Sequence, residues 1–346
     1  MPSTPAQVAI GQDNEGSDWQ LRPELHASTL PSQAGALKRV LEREELKAIV
    51  AQYRAADIAA VKAQAHYKRI GRLSLYAATL ATLVGALFLL PIEPWLTGTP
   101  ARVASLLQIL AMTIAFLGSR FLAVRAPFDA WMKKRAEAEI ARIALFDEVG
   151  KASEGGREGE LDLLPLKLEY FRRYQLDVQR RYYRGRGAQH RAAAWRNNRW
   201  LSASVLVTIV SIAIGVVAGL HIAAAWGVGV PVSVLSWSDA LAGPQTNRFV
   251  LGLGIIASGL YGLGVARSLM DLDERNASRF LTTADNLEYL AANGLAGARE
   301  AATAGRQDDV LAFIRRVQEQ ISSEHREWIA LSAREHGPDR LVHADR

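Results

Sequence analysis

The chain has 346 residues, enough for two or three ordinary domains, and 49% of them are hydrophobic against 22% charged. This balance excludes a disordered or collagen-like chain. There is no cysteine, which excludes disulfide frameworks, thiolate metal sites, iron–sulfur clusters and thiol nucleophiles. The net charge of +6 is unevenly spread, because charged residues lie in long segments between four apolar blocks. That distribution is typical of a membrane protein.

The first half of the chain predicts a tail, a polar helix and two membrane spans. Residues 1–31 lack the apolar core of a signal peptide and are expected to be a disordered tail. Residues 32–70 are rich in strong helix formers such as Ala, Leu, Glu and Lys. Two apolar runs follow, span 1 at about 73–92 and span 2 at about 103–122. Both are long enough to cross the hydrocarbon core, which takes about 17–25 residues.

The second half repeats this order. A Gly-rich linker at 151–160 precedes a second polar helix, and span 3 at about 200–221 and span 4 at about 249–267 follow it. Four such runs in one chain disfavour the alternative of buried helices in a soluble protein.

The repeated order predicts a tandem duplication and an all-α membrane fold of two hairpins with long cytoplasmic helices. The predicted helix–hairpin–helix units are 32–150 and 161–336, with a tail at 337–346. Apolar residues spaced four and three apart predict a helical bundle or coiled coil. They are Leu164, Leu168, Phe171, Val178 and Tyr182, interrupted by Gln175, and Val310, Ile314, Val317 and Ile321.

The distribution of Lys and Arg predicts the orientation in the membrane. Twenty of them lie within twenty residues of the span ends on the side of the termini, and the two hairpin loops hold only Arg102 and Arg248. Since positive charge is retained in the cytoplasm, both termini are expected inside, and the loops 93–102 and 221–248 outside.

Small residues in spans 3 and 4 are candidates for close helix packing. Gly215 and Gly219 form a GxxxG motif that Ser211 extends by one turn, and Gly252 and Gly259 lie in span 4. Small residues four apart let helix backbones approach closely in lipid. The contact could lie within one chain or between subunits.

Polar residues near the spans allow two interpretations each. Gln108 in span 2 could face a pore or hydrogen-bond to another helix. The tract 180–199 mixes arginines with Tyr182, Tyr183 and Trp195. It could determine topology and contact anionic lipid, or bind a phosphate-bearing signal.

Short motifs after span 2 and near the C-terminus carry a family resemblance. Trp131 followed by Arg135-Ala136-Glu137, and the terminal Glu324 and Trp328, resemble the helices that flank the two-span hairpin of the SLATT membrane effectors, which include DUF4231-type proteins. The second half departs from this pattern, with Thr283-Ala284-Asp285 in place of Arg-Ala-Glu. The resemblance implies a membrane effector of bacterial conflict systems that forms pores.

Glu324 also interrupts an apolar helix seam. We expect it to pair with Arg135 or another arginine of a neighbouring helix, or to lie at a solvated edge of the seam.

The sequence predicts a multi-pass inner-membrane protein, and the resemblance implies a pore-forming or membrane-perturbing effector in a bacterial antiviral defence system. The alternative is a membrane-anchored scaffold or receptor whose cytoplasmic helices dock a partner without conducting ions. No motif of catalysis, cofactor binding or metal ligation is present, so no enzyme is expected. The expected partners are the lipid bilayer, further copies of the chain and a cytosolic sensor or signalling protein, with no nucleic acid.

Overall fold

The structure is a computed structural model that describes residues 3–11, 18, 21–90, 97–225, 227, 244–271 and 273–336. For residues 217–219, 221–225, 244–247, 269, 271 and 324–336 it describes the backbone alone. The described residues are largely helical and contain no β-strand, which confirms the predicted all-α class. The predicted tail at 337–346 and most of the loop 221–248 lie outside the described residues.

The described helices follow one another along the chain. They are α1 Pro5–Ile10, α2 Pro23–Thr29, α3 Gly35–Leu41, α4 Glu44–Leu87, α5 Thr99–Arg125, α6 Pro127–Lys151, α7 Leu163–Phe171, α8 Val178–Ala225, α9 Pro244–Asp271, α10 Asp273–Thr303 and α11 Gln307–His336. A π-helical turn, Arg172–Asp177, joins α7 to α8.

The spans differ in how they connect to the polar helices beside them. The first and third spans continue the polar helix before them without interruption, in α4 and α8. The second span ends at Ala126, which has a positive φ of 41°, and α6 begins at Pro127. Proline disfavours the α-helical conformation of the residue before it, so the chain turns at this point. By length and composition, four helical segments can cross a membrane.

The helices group into two compact units. The apolar unit comprises Ala65–Pro127 and His190–Glu274, and so holds all four spans. The polar unit comprises Met1–Gln64, Phe128–Gln189 and Arg275–Arg346. Each unit takes parts of both predicted halves. The tandem duplication concerns the origin of the sequence and stays a prediction.

Helix α7 forms the centre of the polar unit. All of its residues from Leu166 to Phe171 are buried, as expected for a helix surrounded by others. The buried carboxylate of Glu169 accepts hydrogen bonds from Arg172 and Arg299, each at 2.6 Å. Residues of the two predicted seams line this core: Leu168, Phe171, Gln175, Val178, Val310, Ile314, Val317 and Ile321 are each at most 1% exposed.

The described parts of the N-terminal segment, residues 3–11, 18 and 21–31, contact this core, which corrects the disordered tail expected for them. Ile10 of α1 and Ala27 of α2 are buried in the core of the polar unit. Arg173 binds the Asp18 carboxylate through Nε at 2.9 Å and Nη2 at 3.0 Å, and also donates to the carbonyl of Ile10. Scattered contacts hold the segment rather than a long apolar run: Arg54 pairs with Glu24, and His26 hydrogen-bonds to the Tyr170 hydroxyl at 2.9 Å. This is why its composition resembles that of a tail.

Candidate functional site: the apolar unit and a buried polar cluster

Spans 1 and 2 pack closely at two positions in the apolar unit. A Cβ placed on Gly85 would lie 2.7 Å from Nε2 of Gln108, so the amide of Gln108 rests on the backbone of span 1. Ser74 occupies the equivalent space over Gly118. Gln108 therefore lies at a helix–helix contact, and the choice between its two predicted roles, facing a pore or hydrogen-bonding to another helix, stays a prediction.

Span 4 packs against spans 1 and 3 through its small residues. A Cβ on Gly252 would lie 2.6 Å from Leu90, and one on Gly259 would lie 2.9 Å from Thr82. On the side of α8, Ser211 lies 3.3 Å from such a position on Gly254. A larger residue at Gly252 or Gly259 would therefore require Leu90 or Thr82 to move.

The GxxxG motif behaves differently from the other small residues. Ser211 lies at the contact with span 4, but no described atom of a neighbouring residue lies within 4 Å of a Cβ placed on Gly215. The side-chain surroundings of Gly219 lie outside the described residues. Within the described part of the chain, Gly215 thus faces open space.

The spans expose apolar surface far beyond what a soluble protein tolerates. In α5 only Ala111 is buried, and Leu106 and Phe116 are each 67% exposed. In α8, Leu206 is 63% and Ile212 60% exposed. Such a surface needs lipid or another protein to cover it, and together with the four long apolar segments it makes this chain a membrane protein.

The motif residues after span 2 lie on α6 in the polar unit. Trp131 is half-buried and stacks edge-to-face on Phe128 at 5.6 Å. Arg135 pairs with Asp57 at 3.6 Å and with Glu139 at 3.9 Å, and Glu137 accepts a hydrogen bond from Lys134 at 2.8 Å. The side chains of Glu324 and Trp328 lie outside the described residues, so the pairing expected for Glu324 stays a prediction.

Arg135 belongs to a group of polar residues that we call the polar cluster. Glu139, Arg142, Gln175 and Gln179 in it are buried, and Tyr53, Asp57 and Arg135 are partly exposed. Its centre is Arg142, which is 5% exposed and donates through Nε to the Gln175 oxygen at 3.0 Å. With its amide oxygen turned toward the guanidinium, Gln179 accepts from Nη1 at 2.8 Å. Burial raises the pKa of Tyr53, and the Arg142 guanidinium, 6.0 Å from its ring, opposes the rise.

The polar cluster is only partly satisfied. Arg142 Nη2, Gln175 Nε2 and Glu139 Oε1 are buried and have no hydrogen-bond partner among the described residues. A buried polar atom without a partner costs about 1–3 kcal/mol. The cluster joins α4, α6 and the start of α8. The polar part of α4 leads into span 1, α6 follows span 2, and the polar part of α8 leads into span 3.

The basic tract 180–199 before span 3 lies partly against α10 and partly at an exposed surface beside the span. Arg180 and Arg184 pair with Glu288 of α10 at 2.7 and 3.3 Å, so part of its charge is compensated within the polar unit. Nearer the span, Arg199 lies over the ring of Trp195 at 4.8 Å, and Trp195 and Trp200 are 61% and 75% exposed. Exposed tryptophans beside arginines are typical of a membrane interface.

The first hairpin is similar to a known protein family. Residues 51–143 match the family model described as SMODS and SLOG-associating 2TM effector domain 3, SLATT_3. The suspected SLATT resemblance is confirmed. The match covers span 1, span 2 and the motif Trp131, Arg135 and Glu137. No curated protein and no solved structure gives a significant match.

Two features of the polar unit were not predicted from the sequence. Lys167 is buried and donates to the carbonyls of Gly150 and Ala152 at 2.6 and 3.0 Å, at the end of α6. Burial lowers the pKa of Lys167. The polar cluster also went unrecognised, although Gln175 within an apolar seam gave a signal, because the partners of Gln175 are distant in the sequence.

Proposed function

We propose that the chain is an inner-membrane effector of a bacterial conflict or defence system, and that several copies assemble to open a pore or disturb the bilayer. The observation that carries this proposal is the match of the first hairpin to a two-span effector domain associated with SMODS and SLOG proteins. The polar unit would lie in the cytoplasm, where a signalling protein could reach it. The proposed action is a helix rearrangement with no chemical step.

Assembly is supported by the apolar surface that the spans leave uncovered. Gly215 is a small residue on that surface, with open space beside it in one chain. A second copy could bring its backbone close there, as in other small-residue contacts in membranes. Four spans without charged pairs leave little room for a conducting path in a monomer, which favours several copies around one path.

The polar cluster supports a relay between signal and membrane. A partly satisfied buried polar group is a place where a second packing can compete with the first. The adjacent π-helical turn carries one extra residue per turn, and such turns occur frequently at functional positions. A change of packing there would move helices that continue into spans 1 and 3.

The experiment compares Gly215→Ile with Gly262→Ile, since Gly262 in span 4 also has open space beside it. The full-length protein is reconstituted in vesicles, and dye leakage is measured together with the oligomer mass in detergent. We expect Gly215→Ile to shift the protein toward monomer and to reduce leakage, and Gly262→Ile to behave like the wild type.

Two outcomes would contradict the proposal. Vesicles that stay sealed with an oligomeric wild type, and cells whose membrane potential survives overexpression, would favour the alternative of a membrane-anchored scaffold. Equal effects of the two variants would place the subunit contact elsewhere.

A further inference from the structure

Helices α8 and α9 enclose an apolar groove in the apolar unit. The cavity has a volume of 510 Å³ and lies between two close contacts of the helices. At one end, Asn197 Nδ2 donates to the carbonyl of Gly264 at 3.0 Å. At the other, Ser211 packs on Gly254. Between these contacts the helices leave a channel that is open along one side.

The groove has a narrow floor and apolar walls. Ser204 and Ala257 form the floor and are 7% and 2% exposed, and the Ser204 hydroxyl donates to the carbonyl of Trp200 at 2.7 Å. Val207 and Leu260 line the walls and are 42% and 43% exposed. The floor therefore offers no unsatisfied polar side chain, and the walls suit a flexible hydrocarbon chain.

The length of the groove corresponds to one leaflet. Its lining on α8 runs from Asn197 to Val207, which is about 15 Å at 1.5 Å per residue. The hydrocarbon core of a bilayer is about 30 Å thick, so the groove reaches from one interface to near the middle. A second apolar cavity of 390 Å³ continues beyond Val207 toward Phe249.

The two ends of the groove differ in polarity. Arg267, Asn197 and Trp200 line it at the end that adjoins the basic tract, and its remaining lining is apolar except for Ser204. A cation, an amide and an exposed indole above an apolar channel match an amphiphile with an anionic head. An apolar helix of a second copy would match the walls but offers no polar group to the end of the groove that Asn197 and Arg267 line.

We propose that this groove binds one acyl chain of an anionic phospholipid, with the lipid phosphate at Arg267. The site is independent of the proposed assembly, since Gly215 is not part of its lining. Bound lipid would fill the space between spans 3 and 4 and tie this hairpin to the leaflet on the basic side. The proposal is therefore separable from pore formation.

Native mass spectrometry of the delipidated full-length protein tests this site. Phosphatidylglycerol or phosphatidylcholine with the same acyl chains is added, and bound lipids are counted. One basic residue near the surface predicts a preference of about fivefold for phosphatidylglycerol. Arg267→Gln is expected to abolish the preference and keep the weaker binding of phosphatidylcholine, whereas Arg199→Gln, outside the groove, keeps the preference.

A second pair of variants tests the groove itself. Ala203 lines it, and Val205 on the same helix does not. Ala203→Phe is expected to abolish binding of both lipids, and Val205→Phe is expected to leave it unchanged. Equal binding of both lipids to the wild type, or full binding to Ala203→Phe, would overturn the proposal. A fall in oligomer mass for Ala203→Phe without loss of lipid would also overturn it, since the groove would then be a contact between copies.

Discussion

At the scale of single residues, Glu160 ties the Gly-rich linker to the start of the polar unit. Its carboxylate accepts two hydrogen bonds from Arg39, at 2.8 and 2.9 Å, and one from the backbone N–H of Arg157 at 2.9 Å. The Arg39 guanidinium and this N–H lower the pKa of Glu160 from 4.5 to about 2. Glu154, on the same linker, pairs with Arg43 at 2.8 Å. The linker is thus fixed at Glu154 and Glu160.

The pKa of Glu160 predicts a pH dependence of stability. A folded-state pKa below the unfolded-state value means that the charged form stabilises the fold above about pH 4.5 and that this contribution is lost as the pH falls toward 2. We expect Glu160→Gln to lower the melting temperature at pH 7, and the difference from wild type to shrink below pH 4.5. Thermal unfolding of the detergent-solubilised protein measures this.

Glu44→Gln is the matched control for Glu160→Gln. Glu44 also pairs with a cation, Lys47 at 2.6 Å, but its side chain is 84% exposed. Exposed ion pairs contribute little to stability, so Glu44→Gln should melt like the wild type both at pH 7 and below pH 4.5. An equal shift for both variants, or a Glu160→Gln shift that is undiminished at pH 2, would contradict the role given to the Arg39 pair.

Pairings of this kind set the limit of prediction at the residue scale. Arg39 and Glu160 are 121 positions apart, and the sequence contains dozens of other charges that could pair as well. Lys134 and Glu137, three positions apart on one helix, are by contrast a pair that helix geometry alone suggests. Local pairs follow from periodicity, and distant pairs require the tertiary arrangement.

At the scale of elements, the spans and seams were predictable, because hydropathy and helical periodicity are local properties. The N-terminal helices and the π-helical turn were not. Helix α1 has six residues, too few to be stable by itself, and it forms because Ile10 and Ala6 are buried in the core. The π-helical turn inserts itself into a continuous helical pattern, so the sequence shows no break at Arg172–Asp177.

The polar cluster at this turn yields a prediction that separates stability from activity. Arg142→Met removes the donor to Gln175 and Gln179, whose buried oxygens then lack partners. Each such group costs about 1–3 kcal/mol, so the single variant should be clearly destabilised. The triple variant Arg142→Met, Gln175→Met, Gln179→Met replaces this donor and both of its acceptors by apolar side chains and should recover most of the stability.

Activity should respond differently from stability in this series. If the cluster supplies the second packing that the proposed relay needs, the triple variant should be stable and inactive in the leakage assay. Arg306→Met serves as the control, since Arg306 is 56% exposed and pairs only locally with Asp309. A stable triple variant with wild-type leakage would show that the cluster has no part in the relay.

At the scale of the whole molecule, the division into units follows polarity rather than chain order. Segments of both halves contribute to each unit, and all four apolar spans fall within Ala65–Pro127 and His190–Glu274. Helices α4 and α8 each contribute to both units without a break. Composition already predicted this separation of polar from apolar segments, and the detailed packing within each unit was beyond its reach.

Orientation in the membrane follows from the same polarity and can be tested directly. The basic residues that flank the spans lie on the side of the termini, and the hairpin loops carry almost none. Retention of positive charge in the cytoplasm therefore predicts a cytoplasmic position for the linker 151–160 and an external one for both hairpin loops. Arg180 and Arg184 contribute to this bias although Glu288 compensates part of their charge, because acidic residues influence topology little.

Reporter fusions at four positions distinguish this topology from its inverse. Alkaline phosphatase is active only outside the cytoplasm. Green fluorescent protein fluoresces in the cytoplasm but not after export through the general secretory route. We expect phosphatase activity for fusions at residues 98 and 235, and fluorescence for fusions at residues 155 and 346. Phosphatase activity at 155 would show that the linker lies outside the cytoplasm. The predicted orientation of the hairpins would then be wrong, and a cytosolic signal could not reach the linker. Phosphatase activity at both 155 and 346 would be compatible with the same four spans in the inverse orientation. The proposed effector would then have to receive its signal from outside the cell.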